Sequence, residues 1–160
     1  TARKVTGRHT GRIHISDGSL QLDNNILQSG SFALDTRSIS VTDLTDAGSN
    51  AGLVGHLKSD DFFAADKHPV ASFAIGKATH KGNGQYDIDG KLTIKGITHD
   101  LKFPATVAVA DGKLTAKANV KVDRTQYDIR FRSKRVFENL GDKAIYDDFD
   151  LDITLVASAR

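Results

Sequence analysis

The chain contains no cysteine, no methionine and no tryptophan, and has two prolines among 160 residues. Without cysteine there is no disulfide framework, no thiolate-held zinc or iron–sulfur site and no thiol nucleophile. A sequence that opens on Thr1 with no methionine is expected to have lost its beginning, by removal of a leader or by trimming, with leader removal the favoured expectation. Charge of one sign is also lacking. Lys and Arg number 22 against 20 for Asp and Glu, a net +2 that creates no general field for nucleic acid. Apolar runs are short, as at Leu155–Val156–Ala157, and fall far below the roughly 20 residues of a spanning helix, so no stable membrane insertion is expected. No linker, low-complexity stretch or fixed-period repeat interrupts the sequence. The length suits one domain over residues 1–160 with a core of useful size.

What is present is alternation. Tyr86, Ile88, Leu92 and Ile94 alternate with Asp87, Asp89, Lys91, Thr93 and Lys95, the period of a half-buried strand. Leu101, Phe103, Ala105, Val107 and Val109 continue the pattern, and Leu114, Ala116, Ala118, Val120 and Val122 take it up beyond Asp111–Gly112. That dipeptide suits a two-residue type I′ turn, and the register then sets Val109 opposite Leu114 on one face. Asp17–Gly18 predicts a second hairpin, with Ile15 opposite Leu20 and Ile13 opposite Leu22. Further strands carry Phe32 and Leu34, then Phe73 and Ile75 before the turn Gly82–Asn83–Gly84, and finally Phe149, Leu151, Ile153 and Leu155. The total is about eight antiparallel strands.

One helix is expected, capped by Ser49 or Asn50 and carrying Leu53, Val54 and Leu57. Ser59–Asp60–Asp61 suits the start of a further turn that brings Phe62 and Phe63 together. With a single short helix, an all-β sheet with one dry face must close on itself or form a sandwich. Gly7, Gly11, Gly30, Gly90, Ala105, Ala116 and Ala118 fall on the inward face. They either leave room for a ligand or, in the case of the glycines, mark bulges and corners.

The run His56–Leu57–Lys58–Ser59–Asp60–Asp61–Phe62–Phe63, followed by Lys67–His68–Pro69 and Ser72–Phe73, resembles the signature of the YceI-like family of polyisoprenoid-binding, lipocalin-like proteins. Gly90–Lys91–Leu92–Thr93–Ile94–Lys95–Gly96–Ile97–Thr98 before Phe103–Pro104 is similar to its central hairpin. Asp123–Arg124–Thr125 and Gly141–Asp142 are similar to its C-terminal part. Members usually carry an aromatic and an Asp ahead of the position of Lys4–Val5–Thr6–Gly7, so the first strand here is expected to be short or incomplete. The resemblance implies an eight-stranded antiparallel barrel with a short helical flap, an isoprenoid chain in the lumen, and a periplasmic or secreted location. It also implies a lumen wall made by Leu53, Leu57, Phe62 and Phe63 near the flap. Strand residues Phe73, Ile75, Leu92, Ile94, Phe103, Val107 and Leu114 would continue that wall, with Phe131, Leu151 and Ile153 completing it.

Catalytic frames are missing: no Ser, Thr, Lys or carboxylate stands in a recognisable nucleophile setting. His9 and His14 are an odd number apart and point to opposite faces, while His56 and His68 flank the Phe62–Phe63 turn and are either near each other or separate surface residues. Asp60, Asp61 and Asp66 lack the spacing of a calcium loop, and Asp148, Asp150 and Asp152 share a solvated face. No metal and no cofactor is expected other than the bound lipid. Arg124, Arg130, Arg132, Lys134 and Arg135 form the one basic cluster. Arg130, Arg132 and Lys134 share a face if extended, so Arg130 and Arg132, with His56, are candidate contacts for a ligand headgroup, the alternative being a solvated rim.

The leading expectation is non-enzymatic binding, transport or storage of a long isoprenoid, polyprenyl or quinone-like. An enzyme acting on such a lipid, through His56, His68 or Asp61, is the second reading, and a structural or partner-binding β module with a filled core the third. A homodimer is plausible for the resembled family.

Overall fold

The computed structural model describes residues 1–4, 7–133 and 145–158. Among them are β1 (Ala2–Lys4), β2 (Gly7–His9), β3 (Gly11–Asp23), β4 (Ile26–Val41), α1 (Ala47–Lys58), β5 (Val70–Gly82), β6 (Gln85–Ile94), β7 (Ile97–Ala110), β8 (Lys113–Asp123), a 3-10 turn (Arg124–Tyr127) and β9 (Ile145–Ser158). The strands form one curled antiparallel sheet in the order β2-β1-β9-β8-β7-β6-β5-β4-β3. Among the described residues the count is nine rather than eight: the N-terminal segment adds two strands of 3 residues that pair with each other, while the two strands expected either side of Asp17–Gly18 are one, β3.

Four two-residue turns set the register. In each, both central residues have positive φ: Asn24 and Asn25 at 51° and 62°, Asn83 and Gly84 at 54° and 75°, Lys95 and Gly96 at 54° and 75°, Asp111 and Gly112 at 53° and 73°. Positive φ at both positions is the signature of type I′, whose twist matches that of the flanking strands. Val109 faces Leu114 and Val107 faces Ala116, as the Asp111–Gly112 turn predicts.

Asp17–Gly18 is not a turn. β3 runs through it, with Asp17 opposite Ala33 and Gly18 opposite Phe32, and the chain reverses at Asn24–Asn25. The register shift between Ile15 and Asp17 leaves Ser16 as a bulge just before the dipeptide, and the Gly18 amide donates to Asp17 Oδ1 at 2.8 Å. The glycine serves packing: a Cβ at Gly18 would stand 2.6 Å from the Phe32 ring.

The helix starts earlier than Ser49. Asp46 is its N-cap, accepting from the Ser49 amide at 2.8 Å, and this contact holds the Asp46 carboxyl below its ordinary value. Asn50 instead ties the helix to β4, donating to the carbonyls of Val41 and Leu44 at 2.9 and 3.0 Å. Ser59 both closes α1 and opens the expected turn: its hydroxyl donates to the His56 carbonyl at 2.6 Å. Its own carbonyl accepts from Phe62 and Ala64, the reversal that places Phe62 and Phe63 side by side.

How the sheet curls decides where a ligand could go. β2 and β3 lie one residue apart in sequence, yet β2 pairs with β1 and β3 pairs with β4, so the chain at Thr10 carries the sheet across its seam at the helix end. Further along, among the described residues, no ladder joins β3 to β9. The result is a barrel closed at one end and open along one side toward the other. Two apolar clusters fill the concave face. Near α1, Phe62, Leu92, Ile94, Val120, Val122, Tyr127 and Ile129 pack together; toward the open end, Leu27, Tyr86, Ile88, Ala105, Val107 and Leu114 do so, with the Tyr86 hydroxyl accepting from the Leu27 amide at 3.1 Å.

Candidate functional site

Between the two clusters lies a lumen of about 210 Å³ whose wall comes from all seven long strands, β3 to β9. The inward face of each strand supplies it because residues two apart share a side. Phe73, Ile75, Leu92, Phe103, Val107, Leu114, Leu151 and Ile153, all expected from the sequence, line this space. A second cavity of about 210 Å³ lies beneath α1, where Leu53, Leu57, Phe62 and Phe63 meet Ile129, Phe149 and Leu151. Ile13 and Leu151 border both spaces. At the open side a cleft of about 1240 Å³ runs between β3, the Asp111–Gly112 turn and the end of β9.

Two expected wall residues are placed otherwise. Ile94 is buried in the packed cluster near α1, and Phe131 packs against Phe62 and His56 at ring separations of 5.5 and 4.6 Å; neither lines any of these three spaces. Conversely, Ile13, Ile15, Leu20, Leu27, Phe32 and Leu34 of β3 and β4 line the lumen, and the hairpin misplaced at Asp17 hid their common face. The signal available was the stronger turn dipeptide Asn24–Asn25 further on, flanked by Leu22 and Ile26.

Gly30 and Gly90 do not enlarge the lumen, and Gly7 is exposed, where a Cβ would meet nothing within 4 Å. A Cβ at Gly30 would stand 2.5 Å from the Leu20 side chain, and one at Gly90 would stand 2.5 Å from the Phe73 ring, so large neighbours already occupy those positions. Gly11 allows the backbone of β4 to approach, and a Cβ there would meet the Ser40 carbonyl. Ala116 and Ala118, by contrast, border the lumen itself.

Polar groups concentrate at the helix end. Arg124 is buried at 3% exposure, and its guanidinium donates to the carbonyls of Tyr146, Ile129 and Ile145 at 2.9, 2.9 and 3.1 Å. Burial lowers its pKa, opposed by Asp147 and Asp123. It anchors the start of β9 against the 3-10 turn and borders the cavity beneath α1. Asp123 caps that turn, accepting from the Thr125 amide at 3.0 Å. Arg130 and Arg132, near Arg124 in sequence, suggest a basic surface, but Arg124 is drawn inward by the carbonyls of Ile129, Ile145 and Tyr146.

The expected headgroup residues border none of the three spaces. The segment 128–133 is not extended: Ser133 donates back to the Arg130 carbonyl and Arg132 has φ 51°. Arg130 pairs with Asp128 at 2.9 Å, and the Arg132 guanidinium lies 5.0 Å from the centre of the Phe131 ring. Lys134, Arg135 and Gly141–Asp142 lie outside the described residues. His56 Nε2 is 2.9 Å from Asp61 Oδ2 and its ring meets Phe62 edge-on, while His68 sits by Gly96, so the two histidines have separate surroundings. Asp60 is engaged by Lys67 at 2.7 Å. Among the described residues no group of three His, Cys, Asp or Glu is arranged to hold a metal.

Comparison with known proteins agrees with this architecture. The family profile of the YceI-like domain matches residues 1–157. A UPF0312 protein of Vibrio parahaemolyticus is 37% identical over 84 residues, 48% of this chain and 44% of that protein. One from Shewanella denitrificans is 30% identical over 95 residues, 59% and 47% of the two chains. These matches span less than half the length of the curated relatives. Among solved structures, Burkholderia cenocepacia BcnA has a TM-score of 0.71 at 22% identity, covering 89% of this chain and 83% of that one. The YceI protein of Campylobacter jejuni has 0.70 at 23%, covering 93% and 85%. A polyisoprenoid binding domain from Saccharophagus degradans, implicated in plant cell wall breakdown, has 0.60 at 12%, covering 99% and 97%. At these identities the likeness is one of fold. With the family profile running over residues 1–157 and the same curled sheet in these solved structures, the chain belongs to the YceI-like family.

Proposed function

We propose that this protein is a non-enzymatic carrier that encloses a long isoprenoid chain, polyprenyl or quinone-like, for transport or storage in the periplasm or outside the cell. The observation that carries the reading is the lumen wall: aliphatic and aromatic side chains from seven strands, with Lys117, Asp152 and Thr154 its only polar members among the described residues. Such a surface offers a ligand little besides removal from water. Each methylene-sized group buried contributes about 0.8 kcal/mol, so a five-carbon isoprene unit contributes about 4 kcal/mol before the costs of ordering and association. A few units therefore suffice for tight binding without a polar anchor. The fold shared with the Saccharophagus degradans polyisoprenoid binding domain supports the same ligand class.

Native mass spectrometry after gentle purification tests the proposal. A carrier emerges with a co-purified apolar mass or takes up added polyprenol; a chain that emerges empty and takes up none contradicts it. Among the described residues β3 is an edge strand and β9 beyond Asp150 has no ladder partner on its β1 side, which also supports pairing between two copies, read directly by sedimentation at several concentrations.

A further inference from the structure

The lumen has two neighbours through which a chain could arrive: the cavity beneath α1 and the open-sided cleft. We propose that the apolar chain enters from the cleft, and that Phe32 and Phe73 form the threshold that sets what passes; this rests on the lumen being the lipid site. Ile15, Leu20, Phe32, Phe73, Leu114 and Leu155 border both the cleft and the lumen, whereas only Ile13 and Leu151 border both the lumen and the cavity under the helix. The lumen therefore shares more of its wall with the cleft than with the cavity under the helix.

Phe32 and Phe73 stand directly opposite each other on β4 and β5. Each ring rests on a glycine of the strand beyond, Phe32 on Gly18 of β3 and Phe73 on Gly90 of β6. A glycine beneath an aromatic ring lets that ring lie back against the sheet, where any side chain would drive it out into the passage. Approach is favoured on the same side. Ile15, Leu22 and Val156 are exposed large apolar residues, at 40%, 38% and 63%, and all three line the cleft. They give an arriving tail apolar surface before it reaches the two rings.

The helix end is held shut by comparison. Asn50 fastens α1 to the end of β4, and Phe63 packs edge-on against Phe149 at 6.2 Å. Entry there requires those contacts to break, while entry at the cleft requires two side chains to move.

Stopped-flow uptake of the neutral fluorophore N-phenyl-1-naphthylamine tests the route, with displacement by geranylgeraniol as the equilibrium control. Phe32→Trp narrows the threshold and should slow uptake roughly tenfold, well beyond the effect of Leu53→Trp at the helix end. Gly18→Ala should also slow uptake, because its new methyl meets the Phe32 ring, and Gly18→Ala combined with Phe32→Leu should restore the rate. The double variant keeps the test informative if Gly18→Ala alone folds poorly. A greater slowing by Leu53→Trp, or rates indifferent to Phe32→Trp, overturns the proposed route. If the wild-type protein binds neither probe at equilibrium, the lipid reading itself fails; binding with the wrong rate pattern defeats the threshold alone.

Discussion

The ring of Phe73 lies across Gly90 on the neighbouring strand so closely that a methyl group at Gly90 would stand 2.5 Å from Cζ of the ring and 2.4 Å from the carbonyl oxygen of Ala74. The second contact is with backbone, which cannot swing aside. Gly90→Ala should therefore destabilise the fold by about 1–3 kcal/mol, the usual cost of overpacking, as chemical denaturation would show. Ile75, opposite Gly90, marks where β5 shifts register, so the strain should appear first in amide exchange of that strand.

Arg124 ties three carbonyls together from a buried position. Replacement by Met keeps much of the apolar stem but leaves those acceptors without their donor, at about 1–3 kcal/mol for each one that water cannot reach. Arg124→Met should lower stability by about 3 kcal/mol or more, and Arg124→Lys should recover only part of it, since one ammonium cannot reproduce the planar fork. Equal stability of all three proteins in urea would contradict this role.

Asp43 clips the seam where the barrel closes. Its carboxylate pairs with His9 at 2.9 Å and accepts from the Thr10 amide at 3.0 Å, and the His9 contact, then the backbone donor, hold its pKa below the ordinary 3.8. A lowered folded-state value means the clip contributes above that ordinary value and is lost as pH falls through the lowered one. The Thr10 amide resonance should move on acidification below about pH 4 in the wild type and stay flat there in Asp43→Ala.

Ala118 faces the lumen from β8. Enlarging it to Phe directs a ring into the lumen, although Ala118 also packs against both apolar clusters, so the cost should stay within the about 1–3 kcal/mol of overpacking, while uptake of an apolar probe should fall roughly tenfold or more. A variant that keeps both its melting temperature and its full affinity would mean that the ligand lies elsewhere.

The sequence made the strand faces legible wherever a turn dipeptide and the alternation agreed. Asp111–Gly112 is the clearest case, since the register it implies puts Val109 against Leu114. Asp17–Gly18 carries the same dipeptide with a different cause: the glycine is there for the Phe32 ring opposite, a cross-strand demand that local pattern does not encode. Phe73, Phe103 and Leu114 could be placed on the inner face by period alone, but whether an inward residue borders space or packed neighbours depends on curvature. Ile94 and Ile88 share a strand face, yet only Ile88 borders the lumen. The residues expected at a headgroup show the same limit, because Arg130 and Arg132 lie on a segment whose tight turn keeps them off the lumen wall.

The central claim, that the lumen holds an isoprenoid chain, is tested most directly by equilibrium displacement of N-phenyl-1-naphthylamine with geranylgeraniol, run side by side on the wild type and Ala118→Phe. The account predicts saturable displacement and a raised melting temperature in the wild type, both lost in the variant while its fold is kept. No displacement and no thermal shift in the wild type, or identical titrations for the two proteins, would contradict it.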